Sequence, residues 1–356
     1  SEGGEAEAFP TPISHHNNDR FIRLWFEVRI DESGFSMPSK ESAWESGKKW
    51  FPYNKGGPFR KWYGNNDYLI RFDKPSYAIL KKMGNHCPSE HLYFHPGVTW
   101  SAISSGALSV RYDDAGFIFS NAGMKIFARR DEERGVVLFN AMCFLNTPIA
   151  EKLISYLSET INFDQGLIAR LPLVKIPGLE NMASKLIQYA RNDWNFSETS
   201  WDFDGLSWLG ENKSSPLIFN AWDIWMRRSK ERISEMKFLE EENNRLFIEA
   251  YGLQDELSPE VPEEQITLTR ADREKDCQRL ISYAIGCMMG RYSLDEPGLI
   301  YAHAGNVGYD PSRYTRFPAD GDGILPITDE HWFEDDVPAR VSEFLQAVWG
   351  PDTLAE

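Results

Sequence analysis

The chain has 356 residues, of which 42% are hydrophobic and 26% are charged, a balance that excludes a wholly disordered protein. No apolar run approaches the ~18 residues needed to cross a membrane, and the first residues lack the pattern of a signal peptide. The formal net charge is −16, and four scattered cysteines are too few for a disulfide scaffold. These features predict a cytoplasmic protein with reduced thiols and one or two domains.

The negative charge is confined to the second half of the chain. Residues 1–200 contain 23 basic and 23 acidic side chains, whereas residues 201–356 contain 15 basic and 31 acidic ones. Residues 40–82 instead carry ten basic and four acidic side chains, interleaved with ten aromatic ones. Such a stretch can neutralise phosphates and stack on bases, although an aromatic core solubilised by lysines has the same composition.

The first part of the chain predicts an irregular β-rich region behind a flexible leader of residues 1–19. FIRLWFEVRI (21–30) is rich in β-branched and aromatic residues and predicts a strand. KWYGNNDYLIRF (61–72) predicts two strands joined by a turn, and ALSVRYDDAGFIFS (107–120) repeats that pattern with its turn at 113–116.

Helical spacing of apolar residues dominates from residue 136 onward. Helices are predicted within 136–159 (two, broken at Thr147–Pro148), 176–192, 216–251 (one long helix capped by Gly252), 273–294 and 334–350. The sequence therefore predicts an α+β fold. An irregular β-rich domain of residues 20–215 contains the first helices, and a long connecting helix and a mainly α, acidic C-terminal region follow in residues 216–356.

The common catalytic motifs are missing from this sequence. It contains no GxSxG, no HExxH and no GxGxxG after a strand. Asn-Pro never occurs, so the Asn-Pro-Pro-aromatic tetrad that holds an amino group for methylation is absent, and Pro-Cys, part of the cytosine-C5 motif, is absent too. Asp335 and Asp336 are expected to begin a helix. We therefore predict no catalytic residue in this chain.

One histidine-rich segment has spacings compatible with a metal site. His86, Cys87, His91 and His95 lie three to four residues apart or adjacent, and both residue types bind zinc. No second half-site occurs elsewhere, and Pro88 and Pro96 interrupt a simple helix. The favoured interpretation is ordinary loop and strand histidines without a metal.

Seven motifs carry a resemblance that runs over nearly the whole chain from about residue 20. They are PYNKGGPFRKWYGNN (52–66), GVTWSAISSGALSVRY (97–112), NFDQGLIARLPL (162–173), ETSWDF (198–203), LEEENNRLFIEAYGLQDEL (239–257), ISYAIGCMMGRYSLDEPGLIYA (281–302) and ILPITDEHWFEDDV (324–337). In this order they resemble the PglX-type adenine-specific DNA methyltransferases of BREX phage-defence systems.

The resemblance implies which part of such a protein this chain represents. Full-length members carry a helical N-terminal region, an adenine-N6 methyltransferase domain that uses S-adenosylmethionine, a target-recognition region and a C-terminal region. The catalytic tetrad belongs to the methyltransferase domain, so its absence implies a chain that begins after that domain. The chain is then expected to have no methyl transfer of its own and no cofactor, S-adenosylmethionine being used by the full-length enzyme.

A recognition module needs phosphate contacts that hold the duplex and a few side chains that reach base edges. Gly56 and Gly57 are expected to let the backbone approach a phosphate, and neighbouring basic and aromatic residues to clamp or stack. Short hydroxyl groups suit phosphates or base edges, Arg suits guanine and Asn suits adenine. The predicted DNA-binding residues are Asn54, Lys55, Arg60, Lys61, Trp62, Tyr63, Asn65, Thr99, Trp100, Ser101, Ser104, Ser105, Arg111 and Asn121.

The leading hypothesis is a specificity module that reads a short, non-palindromic site in duplex DNA. Its expected partners are duplex DNA, the methyltransferase domain of the same full-length protein and other BREX proteins, with no membrane. The acidic residues 201–356 are expected to face away from the phosphates. Two alternatives stay open, namely a protein-interaction scaffold of the defence complex and a metal-dependent enzyme built on residues 86–95.

Overall fold

The computed structural model of this protein describes residues 6–9, 18–82, 89–103, 107–158, 162–209, 217–303, 307–328, 330 and 332–355. The chain forms two compact units. The first comprises Ser1–Trp194 and Glu235–Thr267, and the second comprises Asn195–Ser234 and Leu268–Glu356. This division differs from the predicted boundary at residue 215, because the long helix contributes residues to both units. The predicted α+β class is confirmed.

Two small sheets lie in the first unit. Their strands are β1 (Ala6–Phe9), β2 (Ile22–Leu24), β3 (Trp50–Asn54), β4 (Tyr68–Arg71), β5 (Gly97–Ser101), β6 (Val110–Asp113), β7 (Ile118–Phe119) and β8 (Gly123–Ala128). One sheet has the antiparallel order β1-β8-β5-β6. The other has the order β2-β4-β3-β7, in which only the β3–β7 pair is parallel.

Several strand predictions are only partly right. Of residues 21–30, only β2 is a strand, because a 3₁₀ turn begins at Trp25. Residues 61–66 form a loop in which Trp62 and Asn65 have φ of +71° and +61°, so the first predicted strand of 61–72 is absent. The strands of 107–120 exist as β6 and β7, but they belong to different sheets and form no hairpin. Residues 6–9 of the predicted leader pair with β8.

The aromatic residues of the basic stretch form much of a hydrophobic core. Phe51, Phe72 and Phe94 are fully buried in one cluster with Tyr93 and Phe119. Phe51 contacts Phe94 edge to face with ring centres 5.7 Å apart, and Phe72 contacts Tyr93 in the same way at 5.8 Å. The structure therefore contains the aromatic core that the composition of this stretch also predicted as an alternative.

The longer helices agree better with the sequence than the strands do, whereas four short helices lie where none was predicted. They are α1 (Asn18–Phe21), α2 (Lys40–Glu45), α3 (Lys74–Lys82), α4 (Arg134–Leu145), α5 (Pro148–Leu157), α6 (Gln165–Ile168), α7 (Glu180–Trp194), α8 (Ile218–Tyr251), α9 (Arg273–Met288) and α10 (Val337–Trp349). Thr147 caps α5, which Pro148 begins, as predicted. Asp336 caps α10 by accepting a hydrogen bond from the Ala339 amide, and Gly252 follows α8 with φ of +68°.

The second unit has a core of its own around α9. Tyr283 stacks on Tyr292 with ring centres 5.2 Å apart and contacts Phe344 of α10 edge to face. The buried Asp276 carboxylate accepts hydrogen bonds from the indole N–H groups of Trp222 and Trp225. These contacts fix the first half of α8 within this unit.

Two predictions about the chemical class of the chain are also addressed by the structure. Cys143, Cys277 and Cys287 are free thiols, and Cys87 lies outside the described residues. Among the helices of the described ranges, none is both long enough and apolar enough to cross a bilayer.

Candidate nucleic-acid interface

A cleft of about 810 Å³ opens where four segments of the first unit meet. One segment follows β3, one lies at the end of β5, one connects β7 to β8, and one leads into α6. The lining residues are Lys55, Gly56, Gly57, Ser101, Ala102, Ile103, Asn121, Ala122, Met124, Asn162, Asp164, Gln165 and Gly166. Three of the predicted DNA-binding residues, Lys55, Ser101 and Asn121, are thus brought together in one cavity.

Glycines let two of these loops touch. Gly56 has φ of +80°, and a Cβ there would lie 2.6 Å from the carbonyl oxygen of Ala122. A Cβ on Gly123 would lie 2.7 Å from the Asn54 carbonyl oxygen and 2.9 Å from the Gly56 nitrogen. The absence of a side chain at Gly56 therefore permits close packing of one loop against another, and its approach to a phosphate stays a prediction.

Replacing Gly123 by Ala is expected to lower the free energy of unfolding by roughly 1–3 kcal/mol, because the backbone of the neighbouring loop must move. Urea denaturation of the purified protein measures this effect. Gly135→Ala is the matched control, since a Cβ there meets no atom within 4 Å. Equal stability of both variants would show that the two loops are not held against each other.

The Ser101 hydroxyl group connects the cleft to its interior wall. It donates to the Gly57 carbonyl oxygen at 2.9 Å and accepts from the Gly57 amide at 2.9 Å. The Arg111 Nη2 atom donates to the Ser101 hydroxyl oxygen at 3.4 Å. These bonds occupy the hydroxyl, so Ser101 positions the loop instead of presenting a free donor.

A row of buried polar side chains lies behind Ser101. Thr99 pairs across the sheet with Arg111 on one side and Lys125 on the other. Since alternate residues of a strand share a face, Asp113 lies on the same face as Arg111. The Lys125 ammonium is 3.2 Å from the Asp113 carboxylate, and the side chains of both residues are at most 1% exposed. Asn54 donates a short hydrogen bond to that carboxylate.

The row carries a net positive charge. Burial lowers the pKa of Arg111 to about 10, which leaves its guanidinium protonated at neutral pH. Burial also lowers the pKa of Lys125 and raises that of Asp113, while their mutual attraction opposes both shifts. Whether the shared proton resides on the amine or on the carboxyl, the Lys125–Asp113 pair is neutral in sum. Arg111 therefore leaves one positive charge directly behind the cleft.

The predicted clamp residues Lys61 and Trp62 are internal. The Lys61 ammonium is 2.7 Å from one carboxylate oxygen of Glu240, and the Trp62 indole N–H donates to the other at 2.8 Å. The Lys61 and Glu240 side chains are 7% and 2% exposed. Both predicted residues thus anchor Glu240 of α8 within the first unit and do not face solvent.

Arg60 occupies an intermediate position. Its guanidinium is 2.7 Å from the Asp193 carboxylate, and its centre lies 5.0 Å from the Trp194 ring. The Arg60 side chain is 17% exposed, and its ion pair with Asp193 binds the end of α7 to the loop of residues 56–66. Its contribution to phosphate binding is reduced by this pairing.

Other predicted contacts serve the interior of the first unit. Tyr63 is buried under the Arg191 guanidinium, and the Asn65 amide donates to the Pro58 carbonyl oxygen. Thr99 donates to the Met124 carbonyl oxygen, and the Trp100 indole donates to that of Phe163.

Several of the predicted DNA-binding residues are buried, and most of their polar atoms have partners within the protein, although the Arg111 Nε atom has none among the described residues. The buried residues are Asn54, Lys61, Trp62, Tyr63, Asn65, Thr99, Trp100 and Arg111. Ser104 and Ser105 lie outside the described residues.

The histidine segment gives no metal site within the described ranges. His86 and Cys87 fall outside them, His91 and His95 are exposed, and no group of three or more potential ligands is assembled in the part of the chain that is described. His95 Nδ1 lies 3.1 Å from the Tyr93 carbonyl oxygen, an ordinary local contact.

Sequence reasoning missed Lys125, Asp113 and Gln165. Lys125 stands between apolar residues in β8, and nothing in that strand distinguishes an inward-facing lysine from an outward-facing one. The Gln165 Oε1 atom is buried at the cleft and accepts no hydrogen bond from any described residue. A buried acceptor without a partner is a feature that only coordinates reveal.

The acidic residues 235–267 belong to the first unit and make its overall charge negative. Residues 1–194 carry 23 basic and 22 acidic side chains, and residues 235–267 carry two basic and ten acidic ones, which gives the first unit a net charge of −7. Positive potential for an anion must therefore be local, as it is behind the cleft.

Two curated relatives are similar to this chain over nearly all of its length. It is 38% identical over 354 residues, 96% of the chain, to the "Adenine-specific methyltransferase PglX" of Lacticaseibacillus casei (strain Zhang). It is 33% identical over 357 residues, 95% of the chain, to the "Adenine-specific methyltransferase BrxX" of Escherichia coli O9:H4 (strain HS). The chain spans only 29% and 28% of these relatives, and no protein-family model matches it. The resemblance to PglX-type proteins is confirmed for one region of them.

Proposed function

We propose that this chain is the DNA target-recognition part of a PglX-type adenine-specific methyltransferase. In this proposal the chain holds duplex DNA in register and reads a short site, while methyl transfer and S-adenosylmethionine binding belong to a part of the relatives that it does not match. The partial coverage of two adenine-specific methyltransferases supports this division of labour.

The cleft is the observation that carries the proposal. Lys55 lies at its rim with its ammonium 4.4 Å from the centre of the Tyr68 ring, a contact that orients the charge without neutralising it. Asn121 is exposed in the same cavity, and Arg111 adds positive charge behind Ser101. Cations that attract a phosphate, together with amides that can read base edges, are what target recognition requires.

Lys55→Ala is expected to weaken duplex binding and to reduce the slope of log K against log salt concentration by about 0.9, the value for one lost phosphate contact. Fluorescence anisotropy with a labelled duplex over a salt series measures both quantities. Lys185→Ala is the matched control, because this exposed lysine lies on α7 and does not line the cleft. An unchanged slope for Lys55→Ala would remove the cleft from the DNA interface.

Target recognition also requires sequence selectivity. Selection from a random duplex library by the wild-type chain is expected to enrich one short, non-palindromic motif, and Asn121→Ala is expected to relax one position of that motif. Binding without any enrichment would contradict target recognition and leave a non-specific DNA contact.

A scaffold that binds another protein is the second candidate, and a specific feature of the second unit favours it. Ile324, Ile327, Trp332 and Phe333 are 65%, 83%, 72% and 51% exposed within ten residues of chain. Exposed apolar side chains at this density are typical of protein-binding segments. Absence of duplex binding at about 50 mM salt, where phosphate contacts are strong, would favour this candidate.

A further inference from the structure

Two short helices of the first unit bring three lysines to two aromatic rings. Lys40 and Trp44 are one turn apart on α2, and Lys74, Tyr77 and Lys81 share one face of α3. The Lys40 ammonium lies 5.2 Å from the Trp44 ring centre and 5.7 Å from that of Tyr77. The Lys74 ammonium is 5.9 Å from Trp44, and that of Lys81 is 5.5 Å from Tyr77. We call these five residues the lysine–aromatic cluster.

The two rings form a firm base for the lysines. Trp44 and Tyr77 contact each other with ring centres 5.2 Å apart, and both contact the fully buried Phe72. The Trp44 indole N–H donates to the Phe72 carbonyl oxygen at 2.8 Å. Because the rings are fixed to the core, the ammonium groups over them lose little further freedom when they bind a ligand.

Glu90 is the acidic group that pairs with this cluster. Its carboxylate is 3.6 Å from the Lys40 ammonium and 3.4 Å from that of Lys81, and the Tyr77 hydroxyl donates to it. Burial alone would raise the pKa of Glu90, but these three partners together hold it below its ordinary value. Glu90 thus pairs with Lys40 and Lys81 but is not paired with Lys74.

The remaining charge is presented to solvent. Lys74 is exposed and makes no ion pair with any described residue, and the Lys40 and Lys81 side chains are 23% and 35% exposed. Ammonium groups restrained by rings, which attract but do not neutralise them, suit oxygen anions that arrive from outside.

We propose that the lysine–aromatic cluster is a second phosphate-binding surface, which contacts the backbone of duplex DNA outside the cleft. This inference rests on the proposed function, since it assumes that a duplex occupies the first unit. Strand β4 gives the distance between this second surface and the cleft. Lys55 lies over Tyr68 at its beginning, and Trp44 is bonded to Phe72 just after its end.

The length of β4 gives the expected separation along the DNA. Three residue steps of ~3.3 Å carry the strand about 10 Å from Tyr68 to Arg71. Successive phosphates of one DNA strand rise by about 3.4 Å, so the two surfaces are about three or more base pairs apart. Base pairs that flank the recognised DNA site would therefore contribute to binding affinity without contributing to sequence selectivity.

The test uses the full chain and a random-sequence duplex of about 24 base pairs, because phosphate contacts do not depend on sequence. For the double variant Lys74→Ala/Lys81→Ala, the slope of log K against log salt concentration is expected to fall by about 1.8. If the variant and the wild type bind equally at 1 M salt, the variant then binds roughly 60-fold more weakly than the wild type at 0.1 M. Lys74→Arg/Lys81→Arg is expected to keep most of the affinity, since the charge is retained.

The matched control is Lys230→Ala/Lys275→Ala, which removes two exposed lysines from the second unit and is expected to leave the slope unchanged. If the lysine–aromatic variant keeps the wild-type slope while the wild type binds, the second surface is refuted and the cleft proposal stands. This outcome would assign the cluster to another partner, such as an acidic protein. If the wild-type chain binds no duplex, both proposals fail together.

Discussion

Replacing Glu240 by Ala is expected to destabilise the first unit by about 3–5 kcal/mol, the typical cost of breaking a buried ion pair from one side. The variant leaves the Lys61 ammonium buried without its carboxylate and the Trp62 indole N–H without its acceptor. Neither group can recover water without opening the packing of α8 on the first unit. Urea denaturation and the midpoint of thermal unfolding both report the loss.

Glu242→Ala supplies the control on the same helix. Its carboxylate pairs with Arg245 at the surface, so its removal is expected to cost at most about 1 kcal/mol. Glu240→Gln is expected to lie between the two, since an amide still accepts from the indole but does not neutralise Lys61. A loss below about 1 kcal/mol for Glu240→Ala would contradict the internal role assigned to Lys61 and Trp62 and restore them as candidates for DNA contact.

Asp113→Asn is expected to cost about 3–5 kcal/mol at neutral pH, because it leaves Arg111 and Lys125 buried without a counter-charge. Asp114→Asn is the control, since its carboxylate is 44% exposed and pairs with Arg191 near the surface. It is expected to change stability by less than about 1 kcal/mol.

The pH dependence of this variant has a definite sign. Burial lowers the pKa of Lys125 in the folded state, and losing the attraction of Asp113 lowers it further. The unfolded state then binds more protons than the folded state between this lowered pKa and the ordinary value near 10.4, so stability rises with pH. The difference in the free energy of unfolding between Asp113→Asn and the wild type is expected to become smaller from pH 7 to pH 10. A gap that stays constant would show that Lys125 does not titrate in this range.

The sequence predicted α4, α5 and α7 to α10 well because their signals are local, whereas the shorter α1, α2, α3 and α6 were not predicted. Apolar spacing, the Thr147–Pro148 cap and Gly252 each act within one turn, and the structure places α5 and the end of α8 where those residues indicate. Strand partners depend on contacts between distant residues. Nothing local in 107–120 indicates that β6 and β7 join different sheets.

The candidate site shows the same division. Composition identified a basic, aromatic stretch, and its motifs identified a PglX-type region, since residue identity alone carries both. Lys55 and Lys61 stand six residues apart in similar surroundings, yet one lines a cleft and the other is buried against Glu240 of α8. That difference arises from a partner 179 positions away in the chain.

The sequence by itself therefore determined the α+β class, the longer helices and the relationship to adenine-specific methyltransferases. Tertiary structure decided which cations remain available to a ligand and which serve the interior. The physical reason is that the charge of a side chain is a property of its own atoms, whereas its exposure depends on what the rest of the fold places over it.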